Sequence, residues 1–408
     1  MCGIIATKGE YNEFFIGKRG PDHRGEYDKN GYKFIQHLLQ VTGEFNPQPF
    51  VEDEIVCIYN GEIYNQEYEK SDGEVLIPLY KKYGYDFPKY LDGEWAIALY
   101  DFKKGIVLFS TDLFATKPLW IKGTECASYE SGVGGEKLTA NLILVKDLET
   151  DQAKFIDEVY QFDFDNQHKT TYDDWIKAFE KAVEKRATNH CFIGLSSGYD
   201  SGAISCALNK TGKEYTTYTV PGIETRSVLD ARSVITKDYK EIVLGEDFDR
   251  LKEDVKLYVE PFKYRIFTNS QTDLHSDDAS VGLAAICERA RQEGKKVYLS
   301  GQGSDEILSD YPFFPNQSEL MGQFPSNLRE WRNFYDGCQY SYIGKEEYVA
   351  GAYGIETRYP FLDKDVVQEF LWLNVELKNM FYKAPLREYL INNNYPFQEG
   401  AKLGFSPA

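Results

Sequence analysis

Two short stretches carry residue types that could do chemistry. The first is Ser196-Ser197-Gly198-Tyr199-Asp200-Ser201. It follows the apolar run Cys191-Phe192-Ile193-Gly194-Leu195 and precedes Ala203, Ile204, Ala207 and Leu208 at helical spacing. The pattern reads as strand, tight turn of small residues, helix. Such a turn aims backbone N–H groups and the positive end of a helix at one point, which suits a phosphate or pyrophosphate. It suits an ordinary strand-to-helix connection as well. It is no Walker A loop, because the Gly-Lys-Ser/Thr ending is absent. The second stretch is Met1-Cys2-Gly3. Removal of Met1 would set the Cys2 thiol beside a free α-amine of pKa about 7.7–8.0, a general base for an N-terminal nucleophile. A buried cysteine near a processed terminus is the other reading.

The elements that must position these residues fall into two halves. The first 160 residues read as β-rich, with strands over 53–59 and 95–101 and a return strand over 105–110. A helix is predicted over 74–83, with Val75, Leu76, Leu79 and Tyr80 on one face. Polar residues dominate 161–171, which places a boundary between domains 1–165 and 166–408. Beyond it the pattern changes. Trp175, Phe179, Ala182 and Val183 mark an amphipathic helix, and strands follow at the run ending in Leu195 and over 215–220. A helix over 283–291 then precedes a strand over 296–299, which leads into Ser300-Gly301-Gln302-Gly303-Ser304-Asp305-Glu306. Strands alternating with helices argue a parallel sheet covered on both faces. Ligands of such sheets sit at the carboxyl ends of strands, so both small-residue turns could face one site.

Composition bounds the partners. The 408 residues suffice for two domains with separate cores, and a hydrophobic fraction of 42% argues for folding rather than disorder. A net charge of −19 disfavours non-specific binding to nucleic acid or anionic membrane, so neither is an expected partner. An anionic ligand must then be held by local groups. The seven cysteines show no Cys-x-x-Cys spacing, which argues against a zinc site or a disulfide framework and favours a reducing compartment. No apolar run approaches the roughly 20 residues of a membrane span. No basic region precedes an apolar one at the N-terminus, so no signal peptide is expected and a cytoplasmic location is.

Further motifs in the first half are Arg19-Gly20-Pro21-Asp22, Asn60-Gly61-Glu62-Ile63-Tyr64-Asn65 and Ser71-Asp72-Gly73-Glu74. Asp92-Gly93-Glu94-Trp95-Ala96, Asp101, Asp112 and Lys117-Pro118-Leu119 follow. In this order the set resembles the glutaminase domain of class II glutamine amidotransferases, an α+β N-terminal nucleophile (Ntn) sandwich. The resemblance implies that Cys2 attacks the glutamine side-chain amide. It implies an oxyanion hole made by the Asn60 amide and the Gly61 N–H, with donors aimed at the developing charge. Glu62 and Asp72 would hold the glutamine α-amino group. One position departs: His37-Leu38-Leu39-Gln40 sets Leu39 where the family has an Arg for the glutamine α-carboxylate. Arg19 or Arg24 would have to substitute, or ammonia would serve as nitrogen source.

The second half resembles the asparagine synthetases, whose domain is of the α/β adenine-nucleotide α-hydrolase-like (ATP pyrophosphatase) class with a parallel sheet. Residues 196–201 are similar to the pyrophosphate loop Ser-Gly-Gly-x-Asp-Ser, with Ser197 at its first Gly. Residues 300–306 are similar to Ser-Gly-Glu-Gly-Ser-Asp-Glu, and Glu356-Thr357-Arg358-Tyr359-Pro360-Phe361-Leu362-Asp363 to Glu-x-Arg-x-Pro-Phe-Leu-Asp. Lys383 with Leu386-Arg387, and Lys402 with Gly404-Phe405, are similar to two late lysine motifs. By this resemblance Ser196, Gly198 and Ser201 grip pyrophosphate, and Leu195, Val220, Ser300 and Gly301 line the adenine and ribose pocket. Asp200 and Asp305, hard oxygen donors, hold Mg²⁺ on the ATP phosphates. Lys402 stabilises charge on phosphorus and on the leaving pyrophosphate. Lys383 reads as structural, and Glu356 with Arg358 as a buried pair.

Gln302 stands where bacterial asparagine synthetases carry a Glu that helps aspartate activation. Gln keeps the shape and hydrogen bonds but transfers no proton. Ser276-Asp277-Asp278 reads as a helix cap; facing the acceptor pocket, it would favour a cationic acceptor. The implied activity is that of an ATP-dependent carbon–nitrogen ligase. Glutamine is hydrolysed, ammonia crosses an apolar interior passage, and an adenylated carboxylate is amidated. The acceptor is aspartate, giving asparagine, AMP and pyrophosphate. The rivals are an amide synthetase of the same family with another carboxylic acid as acceptor, and a non-catalytic regulatory or partner protein retaining the fold. Oligomeric state is left open, a homodimer included.

Overall fold

The computed structural model describes residues 2–267 and 270–400, with the side chains of 265–267, 270 and 271 excepted. The chain divides into two compact units. One comprises residues 1–161, 258–260 and 350–355; the other holds the remainder.

The first unit is built on two six-stranded sheets. One orders Glu136–Lys137, Trp120–Lys122, Glu125–Ala127, Gly3–Thr7, Tyr32–Leu38 and His23–Lys29, all neighbours antiparallel. The other orders Ala153–Glu158, Leu142–Asp147, Ile106–Thr111, Gly93–Asp101, Ile55–Ile63 and Phe50–Glu52, again antiparallel throughout. Successive strand residues point to opposite faces, and here both faces are buried. Val56 and Ile58 join Tyr32 and Phe34 of the first sheet in one apolar cluster. Ile55, Cys57 and Tyr59 join Leu76, Ile77 and Tyr80 of the helix Leu76–Tyr83 in another. That two-sided burial is why the strand reads as a continuous apolar run rather than an alternating one. The sequence ends this strand at residue 59; it continues to Ile63. Asn60 and Gly61 are weak strand formers, but their pairing with Ala96 and Trp95 carries the ladder through them.

The second unit carries five parallel strands, β1 (Cys191–Gly194), β2 (Tyr215–Thr219), β3 (Tyr239–Glu241), β4 (Val297–Leu299) and β5 (Glu356–Arg358). Their order is β3-β2-β1-β4-β5. The chain builds outward from β1 in one direction, then returns to its other side, so the order reverses between β1 and β4. The crevice at such a reversal is where open α/β sheets take ligands. The helix Asp173–Arg186 buries Trp175, Phe179, Ala182, Val183 and Arg186, a stripe at helical spacing. Trp175 stacks on Phe179, and Phe179 on Phe361. No helix among the described residues is long and apolar enough to cross a membrane.

Candidate active sites

In the first unit Cys2 opens the strand Gly3–Thr7 and is buried. Its backbone nitrogen donates to Asn60 Oδ1 at 2.6 Å. A donor can face only the oxygen of an amide, so this bond fixes the Asn60 flip. The Asn60 Nδ2 group is thereby turned elsewhere, and it is buried with no hydrogen-bond partner. A buried donor left unpaired on the strand beside Cys2 is available to an acceptor on a substrate. Gly61 has φ +154°, and a Cβ there would lie 2.0 Å from the Glu94 carbonyl oxygen, so no other residue fits beside Asn60. Glu62, two positions on from Asn60, shares its face of the strand and accepts from Thr42 Oγ1 at 2.7 Å. Asp72 accepts from the Tyr59 hydroxyl at 2.6 Å and from Ile63 N at 2.9 Å, which ties it to the same strand.

Other motif residues of this unit are braces. Asp112 accepts from Trp95 N, Phe114 N and Thr116 Oγ1, and Lys117 meets Glu94 at 3.4 Å in a buried pair. They hold the strand against which Gly61 packs. Leu39 is buried, so an apolar side chain does stand at the departing position. Both cations offered in its place are committed elsewhere. Arg19 is fully buried and donates to the Cys2 carbonyl at 3.0 Å and to the Tyr129 hydroxyl at 2.5 Å. Arg24 pairs with Glu13 and Glu26.

In the second unit the turn after β1 and the turn after β4 flank the reversal of strand order. Ser201 Oγ accepts from Ser196 N at 3.0 Å and lies 2.9 Å from Ser196 Oγ, which in turn accepts from Gly198 N. Leu195, Val220 and Ser300 are buried at the ends of β1, β2 and β4. Gly301 lies so close to the first turn that a Cβ would sit 3.0 Å from Asp200 Cβ. Ser304 Oγ donates to Asp200 Oδ1 at 2.6 Å and joins the two turns directly. Gln302 N donates to Ser300 Oγ.

Lys383 is not peripheral. Its Nζ lies 2.6 and 2.7 Å from the two Asp200 oxygens and 3.0 Å from Asp305 Oδ1. The Tyr382 hydroxyl donates to Asp305 at 2.8 Å. Burial alone would lower the lysine pKa, but the two carboxylates raise it, so the ammonium stays charged. Asp200 and Asp305 therefore converge on one point. Mg²⁺ ordinarily takes one or two carboxylates from a protein and its other ligands from water and substrate phosphates, so the residues fit that ion. Among the described residues no group of three His, Cys, Asp or Glu is arranged for a metal. Lys402 lies outside the described residues. The chain just before it is held on the first turn, with Gln398 N donating to Ser197 O and Gly400 N to the Tyr199 hydroxyl.

Several functional groups escape the sequence. Arg232 is fully buried and donates to the carbonyls of Ser196, Gly198 and Pro396. It fixes the turn from beneath, and Gly202 is glycine because a Cβ would meet the guanidinium at 2.2 Å. Glu224 accepts from the nitrogen and hydroxyl of Ser197, which gives a serine at the family's first Gly a structural reason. Glu346 is buried beside Ser300 and Gln302, and its Oε2 has no partner; burial pushes its carboxyl up to about 7. In a single sequence nothing but that glycine hints at these groups. Asp277 caps the helix Asp278–Gln292 through Ala279 N and meets Lys345, while Asp278 pairs with Lys252, so the acidic stretch is a cap. Glu356 and Arg358 form a buried pair at 2.7 Å.

Residues 1–189 match the glutamine amidotransferase domain family, and residues 265–341 match the asparagine synthase family. The chain is similar to the glutamine-hydrolyzing asparagine synthetase 1 of Saccharomyces cerevisiae, at 27% identity covering 92% of this chain and 76% of that protein. It is similar to the enzyme of the same name from Arabidopsis thaliana, at 27% identity covering 93% and 71%. A putative glutamine-hydrolyzing asparagine synthetase 1 of Methanocaldococcus jannaschii is 26% identical, covering 83% and 69%.

Proposed function

We propose a function from one premise: the chain belongs to the family of glutamine-hydrolysing asparagine synthetases. Residues 1–165 act as an Ntn-type glutaminase, and residues 166–408 as an ATP pyrophosphatase-type synthetase. The Cys2 thiolate attacks the glutamine amide carbon, and the negative charge that forms on oxygen is met by Asn60 Nδ2 and the Gly61 N–H. Ammonia leaves, and water frees glutamate from the thioester. Glu62 and Asp72 hold the glutamine ammonium.

In the second unit an oxygen of the aspartate side chain attacks the α-phosphorus of ATP, and pyrophosphate leaves. Ser196, Gly198 and Ser201 hold that pyrophosphate, and Leu195, Val220, Ser300 and Gly301 surround the nucleoside. Asp200 and Asp305 would hold Mg²⁺, which supplies charge neutralisation at the phosphates. Lys402 would stabilise charge on phosphorus and on the leaving pyrophosphate. Ammonia then attacks the acyl carbon, AMP departs with the bonding pair, and one proton leaves nitrogen to give asparagine.

The observation that carries this reading is the meeting of Asp200 and Asp305 on one ammonium where the strand order reverses. Gln302 favours a second reading, the same chemistry on another carboxylic acid. Product analysis with glutamine, ATP and a panel of acids decides. Aspartate should yield asparagine, AMP and pyrophosphate in equal amounts. Another acid amidated while aspartate is untouched would assign the second reading, and no pyrophosphate with any acid would refute both.

A further inference from the structure

Lys383 is placed between two carboxylates at some conformational cost. It adopts φ +48°, ψ +49°, a left-handed backbone that side-chain-bearing residues seldom take, at the start of the helix Ala384–Asn392. Its side chain is 2% exposed, whereas those of Asp200 and Asp305 are 26% and 16% exposed. The lysine thus approaches from the buried side, and the carboxylates keep an open side. Two carboxylates against one ammonium leave a net charge of −1 on the trio. Ser304 and Tyr382 each give one more hydrogen bond to the same carboxylates. The oxygens that suit a divalent cation are therefore already satisfied by a resident cation of the protein's own.

We propose that Lys383 is the resident counter-ion of the nucleotide site: it occupies the ligands of Asp200 and Asp305 and makes divalent-cation binding conditional on nucleotide. This rests on the nucleotide-site reading above and names how that site is filled. A free cation meets carboxylates already neutralised in part and repelled by an adjacent ammonium. A nucleotide brings phosphate oxygens that complete the cation's coordination and offer the ammonium a new anion. The lysine then turns from the carboxylates to the phosphates, and metal and nucleotide enter as one unit.

The probe is Mn²⁺ alone, read by electron paramagnetic resonance on the full chain, with and without the non-hydrolysable analogue α,β-methylene-ATP. In the wild type the analogue should tighten Mn²⁺ binding at least about tenfold, a scale within reach of one unit charge some 4 Å away. In Lys383→Met, Mn²⁺ alone should bind at least about tenfold tighter than in the wild type, and the tightening by analogue should shrink. Lys383→Arg, which keeps the charge, should behave as the wild type. Equal Mn²⁺ affinity with and without bound analogue in the wild type would overturn the proposal, and that arm stands even if Lys383→Met fails to fold. A folded Lys383→Met with unchanged Mn²⁺ affinity would overturn it too. Analogue that binds no variant, with or without Mn²⁺, would instead remove the nucleotide-site reading itself.

Discussion

Asn60 has one oxygen and one nitrogen to place, and Cys2 N takes the oxygen. The nitrogen is left buried and unpartnered, a state that costs roughly 1–3 kcal/mol unless something completes it. In the proposed glutaminase reaction an oxyanion would complete it. Asn60→Ala should lower glutamine-dependent kcat about 10²–10³-fold, as removal of one oxyanion donor does, and leave ammonia-dependent turnover intact. Steady-state assays with each nitrogen source check this. Glu346 gives a second test. Its carboxyl is held up to about 7 from 4.5 by burial. The fold favours the protonated form, so stability falls as pH rises between these two values and the loss is complete above about 7. Glu346→Gln should therefore raise the melting temperature at pH 8, by a gain of at most about 3 kcal/mol, and change little at pH 5. Cys2, Asn60, Asp200 and Asp305 stand out as candidates in the sequence because each sits in a short local motif. Arg232, Glu346 and the true place of Lys383 do not, because their meaning comes from partners 34 to 183 positions away or on other elements.

At the scale of elements, the strand Ile55–Ile63 positions the residues proposed for glutamine hydrolysis. It carries Asn60 and Glu62 on one face and receives Asp72 through Tyr59 and Ile63. Gly61 lets it lie against Gly93–Asp101 without a side chain between. Gly61→Ala should force the two strands apart, destabilise the fold by about 1–3 kcal/mol as overpacking does, and abolish glutaminase activity. Chemical denaturation and a glutaminase assay read the two effects. Of the five parallel strands, Cys191–Gly194, Tyr215–Thr219 and Val297–Leu299 were legible, each followed by a turn or helical pattern. Tyr239–Glu241 and Glu356–Arg358 escaped, because they are three residues long and carry charged side chains. The helix Asp173–Arg186 was legible, because its stripe of Trp175, Phe179, Ala182 and Val183 has one period throughout. The strands His23–Lys29 and Ala153–Glu158 escaped, because they lie at the outer ends of their sheets and carry mixed, largely polar residues. Their pairing is decided by the neighbour, not by their own composition.

The whole molecule divides into two compact units, for which two chemistries are proposed. With a net charge of −19 it gathers anionic substrates by fixed local groups rather than by its overall field. Lys383, between Asp200 and Asp305, is proposed as one such group. The sequence places a boundary within 161–171, with domains 1–165 and 166–408, where β-rich sequence gives way to alternating strands and helices. The first compact unit also takes in 258–260 and 350–355, which no local pattern announces. What the units do together reduces to the fate of one nitrogen atom. The direct measurement feeds the full chain glutamine labelled with ¹⁵N in its side-chain amide, together with ATP and aspartate, and follows the products by mass spectrometry. The account predicts asparagine labelled in its amide, formed in step with AMP and pyrophosphate, and no labelled asparagine from Cys2→Ala. Glutamine hydrolysed without any labelled amide product, with aspartate or any other acid offered, would contradict it.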